Sequence, residues 1–149
     1  LGPSMSGILS MSNRLTIKKI FSLPVVPDVS ISVVGVQDVA EAHVMAMENE
    51  NANGKRFLLS EKTIKLKDLS NILKSAGFKK VPTLVIPNFL LKFIALFTPS
   101  LKMIAKRLGK EEKLYTTNAN NVLGWYPNRV ESEIINSAKQ LYETGLLKN

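Results

Sequence analysis

The sequence predicts an α/β fold with few strands and about six or seven helices. Short β-branched runs bounded by Pro, Gly and Asn signal the strands. Apolar residues recurring at helical spacing signal the helices, with Gly or Pro just past their ends. A chain of 149 residues, 45% apolar and 21% charged, suffices for one packed domain and excludes wholesale disorder.

The first thirty residues are rich in Gly, Ser, Pro and Met, with one helical stretch near Leu15 to Phe21. Pro24, Pro27 and Asp28 then impose a loop. Ile31 to Val36 reads as a short strand ending at Gly35 to Gln37. Asp38 is placed to cap the next helix, Val39 to Glu48, its carboxylate accepting unpaired amide hydrogens at the positive end of the dipole. Asn53 and Gly54 mark a turn, and Arg56 to Leu59 reads as the next strand.

Leu66, Leu69, Leu73 and Ala76 share one helical face, with Gly77 where a left-handed C-terminal residue belongs. Val81 to Ile86 is extended. Asn88 is expected to cap an apolar helix to Phe97, stopped by Thr98 and Pro99. Another helix, Ser100 to Leu108, ends at Gly109, and a short one near Thr117 closes at Leu123 and Gly124. The last helix opens on a capping box from Asn128 to Glu131 and keeps Val130, Ile134, Ala138 and Leu141 on one face. Two or three short strands cannot cover these apolar helix faces, which points to part of a larger fold.

Composition excludes several chemistries. There is no cysteine for a disulfide, a thiolate metal site or a thiol nucleophile, and one histidine cannot build a His-rich metal site. No run approaches the roughly 18 apolar residues of a membrane helix, and the first residues lack the pattern of a signal peptide. A cytoplasmic protein is expected. The net charge of +8 raises the question of nucleic acid, but the cations fall singly or in pairs, as at Lys18 and Lys19 or Lys79 and Lys80. No basic run is interleaved with stacking aromatics, so no nucleic acid partner is expected.

Four motifs carry a resemblance. Val33 to His43 looks like the V-x-V-x-D-V-A-x-A-H segment of extended short-chain dehydrogenase/reductases, the epimerase/dehydratase superfamily. Asn53 to Phe57 resembles the N-G-x-R-[FY] lead-in to the strand that follows there. Leu123 to Pro127 resembles L-G-W-x-P before the last helix of those enzymes. Leu1, Gly2 and Pro3 are similar to the V-x-G-P-x-L stretch that follows the catalytic helix and the next strand. Order and spacing look most like the dihydroflavonol 4-reductase and aldehyde reductase branch.

The resemblance implies the C-terminal, substrate-binding part of an extended Rossmann-type reductase over residues 1–149, without the N-terminal cofactor-binding part. Such enzymes hold NAD or NADP through G-x-x-G-x-x-G, which is not found here. Their proton donor and its lysine are spaced Y-x-x-x-K. Four residues after Tyr115, Tyr126 and Tyr142 stand Ala119, Val130 and Leu146. The chain alone is therefore expected to lack activity and to bind no cofactor by itself. It would supply the cleft for a small, partly apolar carbonyl substrate: an aldehyde, a ketone or a dihydroflavonol-like compound.

The same resemblance implies Gly2 and Pro3 as cofactor contacts and Met11, Ser12 and Ser32 as substrate contacts. A hydroxyl at Ser12 can meet a substrate or cofactor oxygen, and Met11 adds adaptable apolar wall. Ser32 stands where plant enzymes of this branch carry a longer glutamine. No catalytic or metal-ligating residue is assigned. His43 shares a helical face with Val39 and Met47 and is expected in the core. Trp125 is expected to anchor the last helix. The helix from Asn88 to Phe97 is expected to be core or to line an apolar cleft, with no membrane contact. The expected partner is the N-terminal half of the same enzyme or a second copy; the competing reading is a non-catalytic interaction module derived from that fold.

Overall fold

The structure is a computed structural model that describes residues 1–3, 14–111 and 113–147. A π-helical turn (Arg14–Lys18) runs into α1 (Lys19–Phe21), then β1 (Ser30–Val33) and α2 (Val36–Glu48). After a 3-10 turn (Glu50–Ala52) come β2 (Lys62–Lys65), α3 (Leu66–Ser75) and α4 (Asn88–Phe97). A 3-10 turn (Pro99–Leu101), α5 (Lys102–Arg107), a π-helical turn (Ala119–Leu123) and α6 (Val130–Glu143) complete the α/β order.

The two strands pair antiparallel, from Ser30 opposite Lys65 to Val33 opposite Lys62. Beside them Val26 and Val85 form a single parallel bridge. The main core lies under this small sheet. Ile17 and Ile20 from the first helical segment, Val33 and Ile64 from the strands, Leu69 and Leu73 from α3, and Ile134 and Leu141 from α6 form one buried cluster. Leu69, Leu73, Ile134, Ala138 and Leu141 follow the spacing of one helical face, so the periodicity and the packing agree.

The strand expected at Arg56 to Leu59 is not one: residues 55–60 have no regular structure, and Lys62–Lys65 takes the pairing. Phe57 and Leu59 instead pack on a second cluster of Ala42, Ala119 and Trp125, satisfying their alternation without a ladder. A third cluster joins Val29, Leu91 and Leu108, with Leu101 and Ile104 against it. Gly77 and Gly124 take positive φ of 97° and 69°, the left-handed geometry expected where those two helical segments stop.

Three expected caps do not form, and at two of the helices a distant carboxylate takes their place. α2 begins at Val36, and its N-cap is Gly35, so Asp38 lies inside the first turn and does not cap it. The amides of Val36 and Gln37 donate to the carboxylate of Glu133 from α6, the second at 3.0 Å. α6 in turn begins at Val130, whose amide donates to Oε2 of Glu61 at 2.8 Å; Arg129 is the N-cap, and the capping box from Asn128 does not form. At α4 the N-cap is Pro87, and Asn88 donates from Nδ2 to Asp28 at 3.3 Å. At α2 and α6 a carboxylate distant in sequence takes the place of the local side chain.

α4 meets the expectation on one side only: Leu91 and Ala95 are buried, and Leu91 also lines an apolar cleft, while Phe89, Phe93, Leu96 and Phe97 face outward.

Candidate functional site

An apolar cleft encloses a cavity of ≈ 500 Å³. It lies between α1, the extended segment after it, β1 and the α4–α5 region. Pro24 and Pro27 hold that segment extended, and it is tied down where Val26 N–H donates to Leu84 at 2.8 Å and Ile86 N–H donates to Val26 at 3.0 Å. Ile20, Leu23, Ile31, Ile86, Leu91 and Ile104 make the wall, while Thr16 and Lys19 bring polar side chains to it. The volume falls within the roughly 300–1,000 Å³ of small-molecule sites. Among the described residues its lining is mostly aliphatic, which suits the apolar body of a ligand, with Lys19 as the one charged side chain on it.

Beside the β1–α2 junction a set of buried carboxylates locks the chain. Asp38 is 1% exposed. Its Oδ1 accepts from Arg129 Nη1 at 2.8 Å and its Oδ2 from the Arg129 amide at 3.2 Å. The backbone carbonyl of Asp38 accepts from Trp125 Nε1 at 2.7 Å. Arg129 also reaches Glu41 at 2.6 Å; that hydrogen bond first, then the charges of Glu41 and Asp38, raise its pKa above the ordinary arginine value. Burial of Asp38 and Glu133 is tolerated because each carboxylate accepts hydrogen bonds at both oxygens.

Of the residues assigned from sequence, Gly2 is buried and Pro3 half-buried against this junction. Leu1 O accepts the amide of Val36 at 2.7 Å, and a Cβ on Gly2 would overlap the side chains of Val36 and Glu133. Ser32 lies on β1 with its hydroxyl 3.1 Å from that of Thr63 on β2; its neighbour Ile31 lines the cleft. Met11 and Ser12 lie outside the described residues. His43 is not in the core: it is exposed, with Nδ1 donating to Val39 O at 2.7 Å, because α2 turns that face away from Ala42 and Trp125. Trp125, expected to anchor the last helix, is buried in the cluster of Ala42 and Ala119. Sequence reasoning missed Thr16 and Lys19, whose available signal was position on the outer side of a helix buried through Ile17 and Ile20.

The α2 N-terminus is an anion site in principle. Its first two amides are already committed to Glu133, so this terminus does not fit a nucleotide pyrophosphate. Among the described residues no group of three or more His, Cys, Asp or Glu side chains is arranged to hold a metal ion. No helix among them is long and apolar enough to cross a membrane.

Comparison with solved structures places this arrangement. The chain superposes on the crystal structure of gox2253 with a TM-score of 0.75 and 18% identity, over 99% of this chain and 48% of that one. It superposes on Gre2 from Candida albicans with a TM-score of 0.68 and 25% identity, over 97% and 42%. The yeast methylglyoxal/isovaleraldehyde reductase Gre2 complexed with NADPH gives 0.67 and 18%, over 98% and 45%. This chain carries part of a Rossmann-type reductase fold. It spans less than half the length of these three proteins. No protein-family model and no curated protein sequence matches it.

Proposed function

We propose that the chain is the C-terminal, substrate-binding part of a cytoplasmic NAD(P)-dependent carbonyl reductase of the extended short-chain type, nearest the dihydroflavonol reductase and aldehyde reductase branch. The observation that supports it is the apolar cleft of ≈ 500 Å³ within a fold that follows reductases along almost its whole length. In this reading the cleft takes the carbon skeleton of a small, partly apolar aldehyde or ketone. Met11, Ser12 and Ser32 touch the substrate, and Gly2 and Pro3 border the cofactor held by the N-terminal half. The nicotinamide, when bound there, supplies hydride, and the proton donor comes from that half as well. This chain's own work is to bind, orient and exclude water.

The test is binding of benzylacetone and isovaleraldehyde to the chain, followed by saturation-transfer NMR. Both should bind, and Ile104→Trp, which fills the cleft, should abolish binding while leaving the melting temperature within a few degrees. Binding that is absent, or indifferent to Ile104→Trp, would favour the non-catalytic interaction module instead.

A further inference from the structure

The charge of the chain is unevenly placed. Residues 69–110 contain eight Lys and Arg and no Asp or Glu, which equals the entire net charge of +8. The remaining residues are electrically balanced. That segment holds α4 and α5, which pack on a common apolar cluster through Leu91 and Ile104, with Leu101 of the turn between them.

The outward side of α4 is apolar where a solvated helix would be polar. Phe89, Phe93 and Phe97 are 75%, 60% and 76% exposed, with Leu96 beside them. The rings of Phe93 and Phe97 meet edge-on at 5.6 Å, so the stripe is ordered in advance. At 100° per residue these four side chains lie opposite Leu91 and Ala95, with Lys92 on the flank. On α5, Met103 is exposed between Lys102 and Lys106, which are exposed too. A second copy of the chain would bring like charges together across this face, which disfavours it as the occupant. An exposed aromatic stripe with Lys92 on its flank, followed by a helix with two more exposed lysines, fits a surface that is apolar beneath and anionic above.

We propose that α4 and α5 dock peripherally on an anionic lipid bilayer, with Phe89, Phe93, Leu96 and Phe97 entering the headgroup boundary and Lys92, Lys102 and Lys106 meeting lipid phosphates and carboxylates. The contact is interfacial and reversible, and it involves no spanning helix. The proposal differs from the expectation of no membrane contact, and its ground is that the phenylalanine side of α4 faces outward.

Vesicle co-sedimentation tests it, with phosphatidylcholine vesicles carrying about 30 mol% phosphatidylserine against phosphatidylcholine alone. The chain should bind the anionic vesicles, and roughly 0.5 M NaCl should release most of it. Phe93→Ser with Phe97→Ser, and separately Lys92→Glu with Lys102→Glu and Lys106→Glu, should each weaken partitioning about tenfold or more. Lys55→Glu with Lys113→Glu and Lys139→Glu removes the same charge elsewhere and should leave most of the binding in place. All these positions are exposed, and unchanged circular dichroism confirms that the variants fold. Equal binding to neutral vesicles, equal loss in the control triple, or no vesicle binding would overturn the proposal. A dimer dissolved by the phenylalanine pair, without vesicle binding, would assign the face to a second copy.

Discussion

Asp38 and Arg129, ninety-one residues apart, are joined twice: through the guanidinium at 2.8 Å and through the Arg129 backbone amide at 3.2 Å. The pair fastens the first turn of α2 to the residue before α6. It explains why an acidic side chain that looks like a helix cap is buried without capping its own helix.

Asp38→Ala should therefore cost more than the roughly 1 kcal/mol of a lost cap, about 2–3 kcal/mol, because a charge-assisted bond and a backbone partner go together. Asp38→Asn should keep one acceptor and lose less. Urea denaturation of the two variants measures the difference; a loss for Asp38→Ala near that of a simple cap would contradict the pairing.

Glu133 accepts two amides at the start of α2, and Gly35 is the N-cap there. A Cβ on Gly35 would lie 2.8 Å from Asp38 Oδ2 and 3.0 Å from Glu133 Cδ. Gly35→Ala should destabilise by about 1–3 kcal/mol through crowding, although its φ of −70° suits alanine. Gly54→Ala is the contrast: its Cβ meets nothing within 4 Å, and its cost comes from the φ of 69° alone. Pairing each with Glu133→Ala separates the two effects, since only the cost of Gly35→Ala should fall when the Glu133 carboxyl group is removed.

Trp125 is the sole tryptophan, 1% exposed, and its Nε1 donates to Asp38 O at 2.7 Å. Its fluorescence should be blue-shifted in the folded chain and move red on unfolding. Trp125→Phe keeps most of the packing but strands that carbonyl, for a loss of about 1–2 kcal/mol in thermal or urea unfolding.

α2 exposes Val36, Val44 and Met47, the last at 86%, and the sheet has two strands among the described residues. In the proposed parent enzyme this side would meet the cofactor-binding half. The chain should self-associate at micromolar concentration in analytical ultracentrifugation, and Val44→Glu with Met47→Glu should reduce it. Phe93→Ser with Phe97→Ser should not. A single sharp monomer with no dye-binding apolar surface would show this segment to be self-sufficient.

The sequence by itself determined the α/β class, the helices of the main core and the two left-handed glycine stops at Gly77 and Gly124. These follow from period, turn chemistry and backbone sterics, which act over a few residues and need no partner. Trp125, expected to anchor the last helix, is buried instead in the cluster of Ala42 and Ala119 with its Nε1 on the Asp38 carbonyl, a placement that the tertiary structure decided. Tertiary structure decided which carboxylate capped which helix, since Glu133, Glu61 and Asp38 act across gaps of 69 to 97 residues that no local rule spans. It also decided that β2 is Lys62–Lys65 and not Arg56 to Leu59, because only pairing with β1 distinguishes two segments of similar propensity. The exposed His43 and the outward phenylalanines of α4 belong to the same class. Periodicity names the apolar side of a helix, but which side the neighbours cover depends on what packs there, and for α4 they cover only the Leu91 and Ala95 side.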